Sequence, residues 1–245
     1  EQLINWTSNR LAFTWGKPSE DEQVDIAGNM LRYWRYCREF VALRSSEPAD
    51  DLTSELLADH RNNPDDLSYR EVESIIYGLS FAGHEIVSNF ISNTLLSLLP
   101  NRDDWEAICK APGLIPNMLE EVLRYDSPQT SWRRVTTRDT ELAGIKLPAG
   151  TRIFMSIGAA NHEAAEFSQP SDFDIYRENA KKHLSVGQGI HFCLGARLAR
   201  LEGQIALEAL AERIPSLRLV PDQQLQWSPN ITFRGPAELY VDWDA

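Results

Sequence analysis

The sequence predicts a mainly α-helical fold with a minority of short strands, on three observations. Apolar residues recur every three to four positions through two long runs, residues 23–44 and 68–99. A glycine-punctuated loop, Gly187-Gln188-Gly189-Ile190-His191-Phe192-Cys193-Leu194-Gly195, leads straight into a further helical pattern. The strand-like pieces are short and bounded by Pro and Gly.

In chain order, residues 23–44 place Val24, Ala27, Leu31, Trp34, Cys37 and Val41 along one amphipathic face. Pro18-Ser19-Glu20-Asp21 supplies the entry, with Ser19 as N-cap and acidic residues in the first turn. Residues 68–99 predict one continuous helix, long enough to cross a whole protein, with Val72, Ile75, Ile76, Leu79, Gly83, Ile86 and Phe90 on one face and Pro100-Asn101 as its stop. Two short helices follow at 105–109 and 115–125, parted by Ala111-Pro112-Gly113. After Ser127-Pro128 the pattern turns to strands at 132–137, at 141–142 before Gly144, and at 152–157 after Pro148-Ala149-Gly150. Residues 166–186 lack periodicity and read as a meandering connection. The helix after Cys193 extends to about Arg213, and short strands follow around 217–220 and 239–243. There is no internal repeat or low-complexity segment.

The chain of 245 residues, 42% hydrophobic and 24% charged, is long enough for one domain or a domain and a half. Its 24 basic and 36 acidic residues give a formal charge of −12, which argues against nucleic acid or an anionic membrane as partner. Lys181, Lys182, Arg197 and Arg200 nevertheless bracket the cysteine loop, either as a spot that steers an acidic electron donor or as an ordinary solvated patch. No apolar run reaches the roughly 18–20 residues that span a bilayer, and Glu1-Gln2-Leu3-Ile4-Asn5-Trp6 lacks the basic and apolar regions of a signal peptide. Cysteines at 37, 109 and 193 show no pairing or zinc pattern, which points to a reducing, cytoplasmic compartment.

The cysteine loop carries the chemistry. Gly187, Gly189 and Gly195 permit tight turns and close backbone approach to a flat ligand, while Leu194, Leu198, Leu201 and Ile205 step along one helical face. Cys193 sits where unpaired helix N–H groups and the positive end of the helix dipole favour a thiolate. Such a thiolate holds a metal; the competing reading is a buried structural cysteine in a glycine-rich helix entry.

With Ala196-Arg197-Leu198-Ala199-Arg200 following at once, the segment resembles the haem-ligand loop of the cytochrome P-450 haem-thiolate monooxygenases, Phe-Gly-x-Gly-x-His-x-Cys-x-Gly followed by Leu-Ala-Arg. Val186 departs from that pattern, standing where the family has phenylalanine. The resemblance implies the cytochrome P-450 fold, a helical core around haem with small peripheral β-sheets. It implies haem b (iron protoporphyrin IX) as cofactor, Cys193 as iron ligand and catalytic residue, and Ala82, Val186, Gly187, Gly195 and Ala199 as further cofactor contacts. Arg134 and His191 match the family's propionate partners, whereas Arg133 and His183 read as exposed side chains.

Phe81-Ala82-Gly83-His84-Glu85-Ile86 resembles the family's oxygen-binding segment, which assigns catalytic roles to Gly83 and Glu85 and puts a local helix break there. The usual alcohol is missing: Ile86 takes its place, and Ser88, about 200° round the helix, does not replace it. Protons then come from an ordered water or substrate group, peroxide is the oxidant, or the oxygen chemistry is altered. Glu121 and Arg124 share a helix face by spacing alone. The resemblance adds Arg177, from Phe173-Asp174-Ile175-Tyr176-Arg177, to complete a structural triad.

The resemblance covers essentially the whole chain but only the carboxy-terminal part of a typical family member. Residues 1–245 therefore read as the carboxy-terminal portion of a single haem domain whose amino-terminal part is missing, with residues 1–46 resembling the helices over the substrate pocket. The implied activity is that of a soluble bacterial-type monooxygenase inserting one oxygen atom from dioxygen into a small organic substrate. Electrons would come from a ferredoxin- or flavodoxin-type donor or a fused reductase, since residues 132–134 and 228–235 resemble the self-sufficient subclass. The alternatives are a peroxide-driven oxidase, motivated by Ile86, and a non-catalytic haem-binding fragment. Trp6, Phe13, Trp15, Phe81 and Trp132 are candidate pocket residues that serve equally well as core.

Overall fold

The structure, a computed structural model, describes residues 3, 5, 6, 13, 14, 16–227 and 230–244. Trp15, and Ser228 and Pro229 of the 228–235 segment, lie outside the described residues. The chain divides into two units, Glu1–Glu85 and Ile86–Ala245.

In the first unit, helix α1 (Glu20–Ser46) starts at a capping box: the Glu22 N–H donates to Ser19 Oγ, and the Ser19 N–H donates to the Glu22 carboxylate at 2.7 Å. Helix α2 (Leu52–Asn62) was not legible from periodicity, because its buried residues are Thr53, Ser54 and Leu57 rather than an apolar stripe. Its start is chemical: Asp51 Oδ1 accepts the Ser54 N–H at 2.9 Å. Helix α3 (Tyr69–Ala82) repeats the capping box with Ser68 and Glu71. The buried face of α1 is Ile26, Tyr33, Cys37 and Val41, so Val24 and Leu31 of the expected stripe are instead exposed. Tyr33 belongs inside because its hydroxyl is satisfied, donating to the Tyr77 carbonyl at 2.8 Å and lying 2.6 Å from Ser80 Oγ. Burial holds this phenol well above the usual tyrosine range. Trp6 is buried against Tyr33 and Cys37, with Phe81 packed alongside, whereas Phe13 is exposed.

The continuous helix expected over 68–99 is two helices, α3 and α4 (Glu85–Leu98). The i to i−4 ladder fails at Gly83-His84: the His84 N–H reaches Phe81 O, three residues back, instead of continuing the α pattern. Gly83 supplies the weak point, since glycine in a helix interior costs about 1 kcal/mol relative to alanine. Pro100-Asn101 ends α4 as expected.

In the second unit, helices α5 (Arg102–Lys110), α6 (Ile115–Tyr125) and α8 (Ala196–Arg213) pack with α4 around Phe90, Leu98, Trp105, Ile108, Leu119, Val122 and Leu207. The short α7 (Ile157–Ala160) follows the strands. The core face of α8 is Ala196, Gly203, Leu207 and Ala211; the Leu194, Leu198, Leu201, Ile205 stripe is exposed. Small residues let α8 approach closely: a Cβ on Gly203 would stand 3.0 Å from the Phe90 ring and 3.3 Å from Leu119.

Among the described residues the strands form three antiparallel pairs. β1 (Ser131–Val135) joins β4 (Arg152–Ser156) with Arg134 opposite Ile153, β2 (Thr140–Leu142) joins β3 (Ile145–Leu147), and β5 (Arg218–Leu219) joins β6 (Val241–Asp242). The β2–β3 hairpin turns through Ala143 (φ 49°) and Gly144 (φ 80°), and β3 was not anticipated.

Residues 161–186 lack long regular elements and are ordered by charge. Arg124 donates to both Glu121 oxygens, at 2.7 and 2.8 Å, and Arg177 Nε lies 3.1 Å from each of them. The remaining Arg124 hydrogens go to the carbonyls of Asn161, Pro170 and Asp172, and Arg177 reaches those of Ser168, Gln169 and Asp172. Glu121 also accepts the Asp174 N–H at 3.0 Å. Glu121 and Arg124 are fully buried, so deleting the carboxylate strands two guanidinium charges. Glu121→Ala is expected to cost about 3–5 kcal/mol, read from the midpoint of urea unfolding; a loss below about 1 kcal/mol, typical of exposed pairs, would contradict this assignment.

Candidate functional site

Helix α8 starts at Ala196 with Gly195 as N-cap, so Cys193 stands upstream of the helix rather than in its first turn. Its N–H is not one of the unpaired donors of a helix start: it bonds Val186 O at 2.9 Å, and the Cys193 carbonyl accepts the Ala196 N–H at 3.2 Å. The dipole of α8 still puts partial positive charge beside the cysteine. Two of the three loop glycines are conformationally required, Gly187 (φ 73°) and Gly189 (φ 72°). Gly195, at φ −82°, adopts a backbone that other residues share. The Gly187 N–H closes on Leu184 O at 2.9 Å and the Phe192 N–H on Gly189 O at 3.0 Å, folding residues 184–195 into two tight turns.

Cys193, an exposed free thiol, opens into a cavity of about 960 Å³. Ile86, Val87 and Phe90 of α4, Leu123 of α6, Trp132 of β1 and Met155 of β4 give it apolar walls. His191, Arg134, Val186, Gly187 and Ala199 line the same cavity, together with Arg133 and Arg200. The structure thus brings Cys193, His191, Arg134, Val186, Gly187 and Ala199 together; Gly195 caps the adjoining helix and is not among the lining residues. Arg134 Nη1 donates to the Arg133 carbonyl at 2.9 Å.

These residues fit haem. One sulfur donor, a largely apolar cavity, and cationic or hydrogen-bonding side chains suited to carboxylates are the donor set that an iron porphyrin with two propionates requires. Among the described residues no cluster of three or more His, Cys, Asp or Glu competes as a metal site.

Three polar residues behave differently from their sequence reading. His183, expected to be exposed, is buried, with Nε2 3.0 Å from Glu120 Oε2 and Nδ1 accepting the Ser185 N–H at 3.1 Å. Arg200 takes both Glu120 oxygens, at 2.6 and 2.9 Å. Burial alone would push the Glu120 carboxyl up, but the hydrogen bonds from His183 and Arg200 outweigh it and hold it at about 2. Arg200 is correspondingly raised, chiefly by its hydrogen bond to Glu120. Lys182 pairs with Glu166, so of the expected basic spot Lys181 and Arg197 remain exposed while Lys182 and Arg200 are neutralised by acidic neighbours. The only sequence signal for this arrangement was the tandem Glu120-Glu121.

Ala82, Gly83 and Glu85 belong to the first unit. Gly83 terminates α3 and Glu85 opens α4. Glu85 Oε2 is buried without a hydrogen-bond partner among the described residues, and desolvation lifts the carboxyl to about 7.

A sequence profile of the cytochrome P-450 family matches residues 112–224. The chain is 41% identical over 244 residues to cytochrome P-450 107B1 of Saccharopolyspora erythraea, covering 98% of this chain and 58% of that protein. It superposes with a TM-score of 0.95 at 38% identity on cytochrome P-450 CREJ in complex with (4-ethylphenyl) dihydrogen phosphate, covering 99% of this chain and 60% of that one. An intact type IV self-sufficient cytochrome P-450 monooxygenase is likewise similar, at a TM-score of 0.93 and 37% identity over 99% of this chain and 32% of its own length. The chain thus spans about three-fifths of the curated relatives it matches. Among the described residues no helix is long and apolar enough to cross a membrane.

Glu85 makes stability depend on pH. Its folded value, about 7, lies above the usual carboxylate value of 4.5, so the folded state holds the proton more tightly than the unfolded chain. That contribution is complete below about 4.5 and is lost as pH rises through 7. Thermal unfolding followed from pH 5 to pH 8 (about the window set by this shift) should show a decline that Glu85→Gln removes; identical slopes in the two proteins would refute it.

Proposed function

The chain belongs to the cytochrome P-450 family, and from that premise we propose that the protein is a haem-thiolate monooxygenase acting on a small organic substrate, inserting one oxygen atom from dioxygen. The observation that carries this reading is the exposed Cys193 thiol on the wall of an apolar cavity that also presents Arg134 and His191. Bound haem b, ligated by a thiolate, supplies dioxygen activation and oxygen–oxygen cleavage. The chain's own residues do the rest. Cys193 provides the sulfur, with its loop fixed by the bond to Val186 O. Arg134 and His191 bind the propionates, while Val186, Gly187, Gly195 and Ala199 of the loop and α8, and Ala82 of the oxygen-binding motif, are the further cofactor contacts. Ile86, Phe90 and Trp132 exclude water and favour an apolar substrate. Glu85, protonated in part near neutrality, is the proton donor that the motif assigns, beside Gly83.

Electrons come from a ferredoxin- or flavodoxin-type donor or a fused reductase, with Lys181 and Arg197 available to steer an acidic partner. The likeness to a self-sufficient monooxygenase supports the fused arrangement. Residues 1–245 serve as the carboxy-terminal portion of a single haem domain acting in the cytoplasm, with neither nucleic acid nor membrane as partner. A second reading, a peroxide-driven oxidase, is favoured by Ile86, an apolar cavity residue where the family pattern has an alcohol.

Reduced, carbon monoxide-bound protein should give a strongly red-shifted Soret band, and Cys193→His should return it to the position of a histidine-ligated haem. A red-shifted band surviving in Cys193→His would overturn the ligand assignment. Ile86→Thr should raise the share of reducing equivalents recovered in product rather than as hydrogen peroxide. An unchanged share, with turnover sustained by peroxide alone, would favour the second reading.

A further inference from the structure

The Glu120, His183 and Arg200 cluster is separate from the Glu121 triad and has no part in the chemistry derived above. Its placement is specific. His183 and Ser185 form the chain that enters the cysteine loop, and Arg200 lies on the helix that leaves it. One carboxylate therefore grips both ends of the loop. The entering segment is further fixed: Asn161 Nδ2 donates to Ser185 Oγ at 2.8 Å, and the Leu184 N–H donates to Asn161 Oδ1 at 2.8 Å. The next residue, Val186, accepts the Cys193 N–H. On the leaving side Arg200 Nη1 also bonds the Ala196 carbonyl at 3.1 Å, and Arg200 lines the same cavity as Cys193.

We propose that Glu120, His183 and Arg200 are positioning residues for the Cys193 loop: they clamp its two ends together and cancel the guanidinium charge that would otherwise bias the thiolate. Ser185 donates to His183 Nδ1, which leaves Nε2 to donate to Glu120 and fixes the ring orientation. With the carboxylate in place, Arg200 holds position as half of a bidentate pair. Without it, an uncompensated cation faces the cavity that holds the sulfur and draws electron density from it. The electrostatic half of the inference rests on Cys193 being the haem ligand; the clamp itself does not.

The test compares Glu120→Gln and Arg200→Lys with Leu207→Ala in the haem-loaded, full-length protein. Glu120→Gln keeps shape and removes charge, Arg200→Lys keeps charge and removes the bidentate fork, and Leu207→Ala destabilises the core at a buried site outside the loop. Both clamp variants should speed amide hydrogen exchange across residues 184–195, and loss of haem should quicken by about tenfold, as for other residues that orient a metal ligand. Glu120→Gln should also raise the haem reduction potential and convert part of the red-shifted carbon monoxide band, whereas Leu207→Ala should lower the melting temperature with the potential and band unmoved. Parental exchange rates in both clamp variants would overturn the clamp. Faster exchange with a parental potential and band in Glu120→Gln, or equal shifts in Leu207→Ala, would overturn the electrostatic role. A parental protein without a red-shifted band would overturn Cys193 ligation and the electrostatic role together, and the exchange rates would still decide the clamp.

Discussion

A carboxylate with no solvent exposure, Glu121, orders the irregular segment 161–186. Residues 161–186 close short turns with backbone hydrogen bonds, but an irregular segment that packs against a core leaves further carbonyls to be satisfied elsewhere. Arg124 and Arg177 meet that need: their forked N–H groups reach five different carbonyls while both hold Glu121. Two guanidinium charges facing one carboxylate would be unfavourable in an apolar interior, and the carbonyl dipoles offset the excess. The triad thus works as an ordering device, with its stabilising effect appearing as the fixed path of the chain towards Cys193.

The neighbouring residue extends this logic. Glu120 and Glu121 are consecutive on α6, about 100° apart around its axis, so one helix turns a carboxylate towards each of two chain segments. Met118, Leu119 and Val122 on the same helix are buried, which keeps water from competing for either carboxylate. Glu121 fixes the meander, and Glu120 fixes its junction with the cysteine loop. The sulfur's position is therefore set by charge pairs buried on α6 as well as by the turns at Gly187 and Gly189.

Sequence reading succeeded where the signal is local. The capping residue Ser19, the stop at Pro100-Asn101, the short helices of the second unit and the Glu121, Arg124, Arg177 set are all legible from spacing, turn chemistry or motif. It failed where partners are distant in the chain. His183 reads as polar and exposed until Glu120, 63 residues away, is seen beside it. The buried faces of α1 and α8 were misjudged because periodicity ranks residues by hydrophobicity alone. Tyr33 is buried through a satisfied hydroxyl, and Gly203 through its lack of a side chain, and neither registers as an apolar stripe. The cavity that gathers Cys193, His191 and Arg134 draws on segments more than a hundred positions apart in the sequence, and only the motif resemblance anticipated that assembly.

The two motifs that resemble family sites differ in how the surrounding chain supports them. Around Cys193 each polar group described above has a partner: its amide, the Val186 carbonyl, and the side chains of His183, Ser185, Arg200 and Glu120. Glu85 has a buried oxygen with no partner among the described residues, and the residue after it is Ile86 instead of an alcohol. A loop whose ends are tied by buried bonds resists rearrangement there, because moving an end breaks a bond in a low dielectric. A carboxyl with an unpartnered buried oxygen near its titration point exchanges its proton at little cost, and the same desolvation that raises its affinity for the proton favours any group or water that can bond that oxygen. The chain therefore separates rigidity from proton exchange along its length. The cysteine loop is held by the Glu120–Arg200 pair, whose carboxyl is kept at about 2, and Glu85 is left as the group whose protonation the surroundings can change.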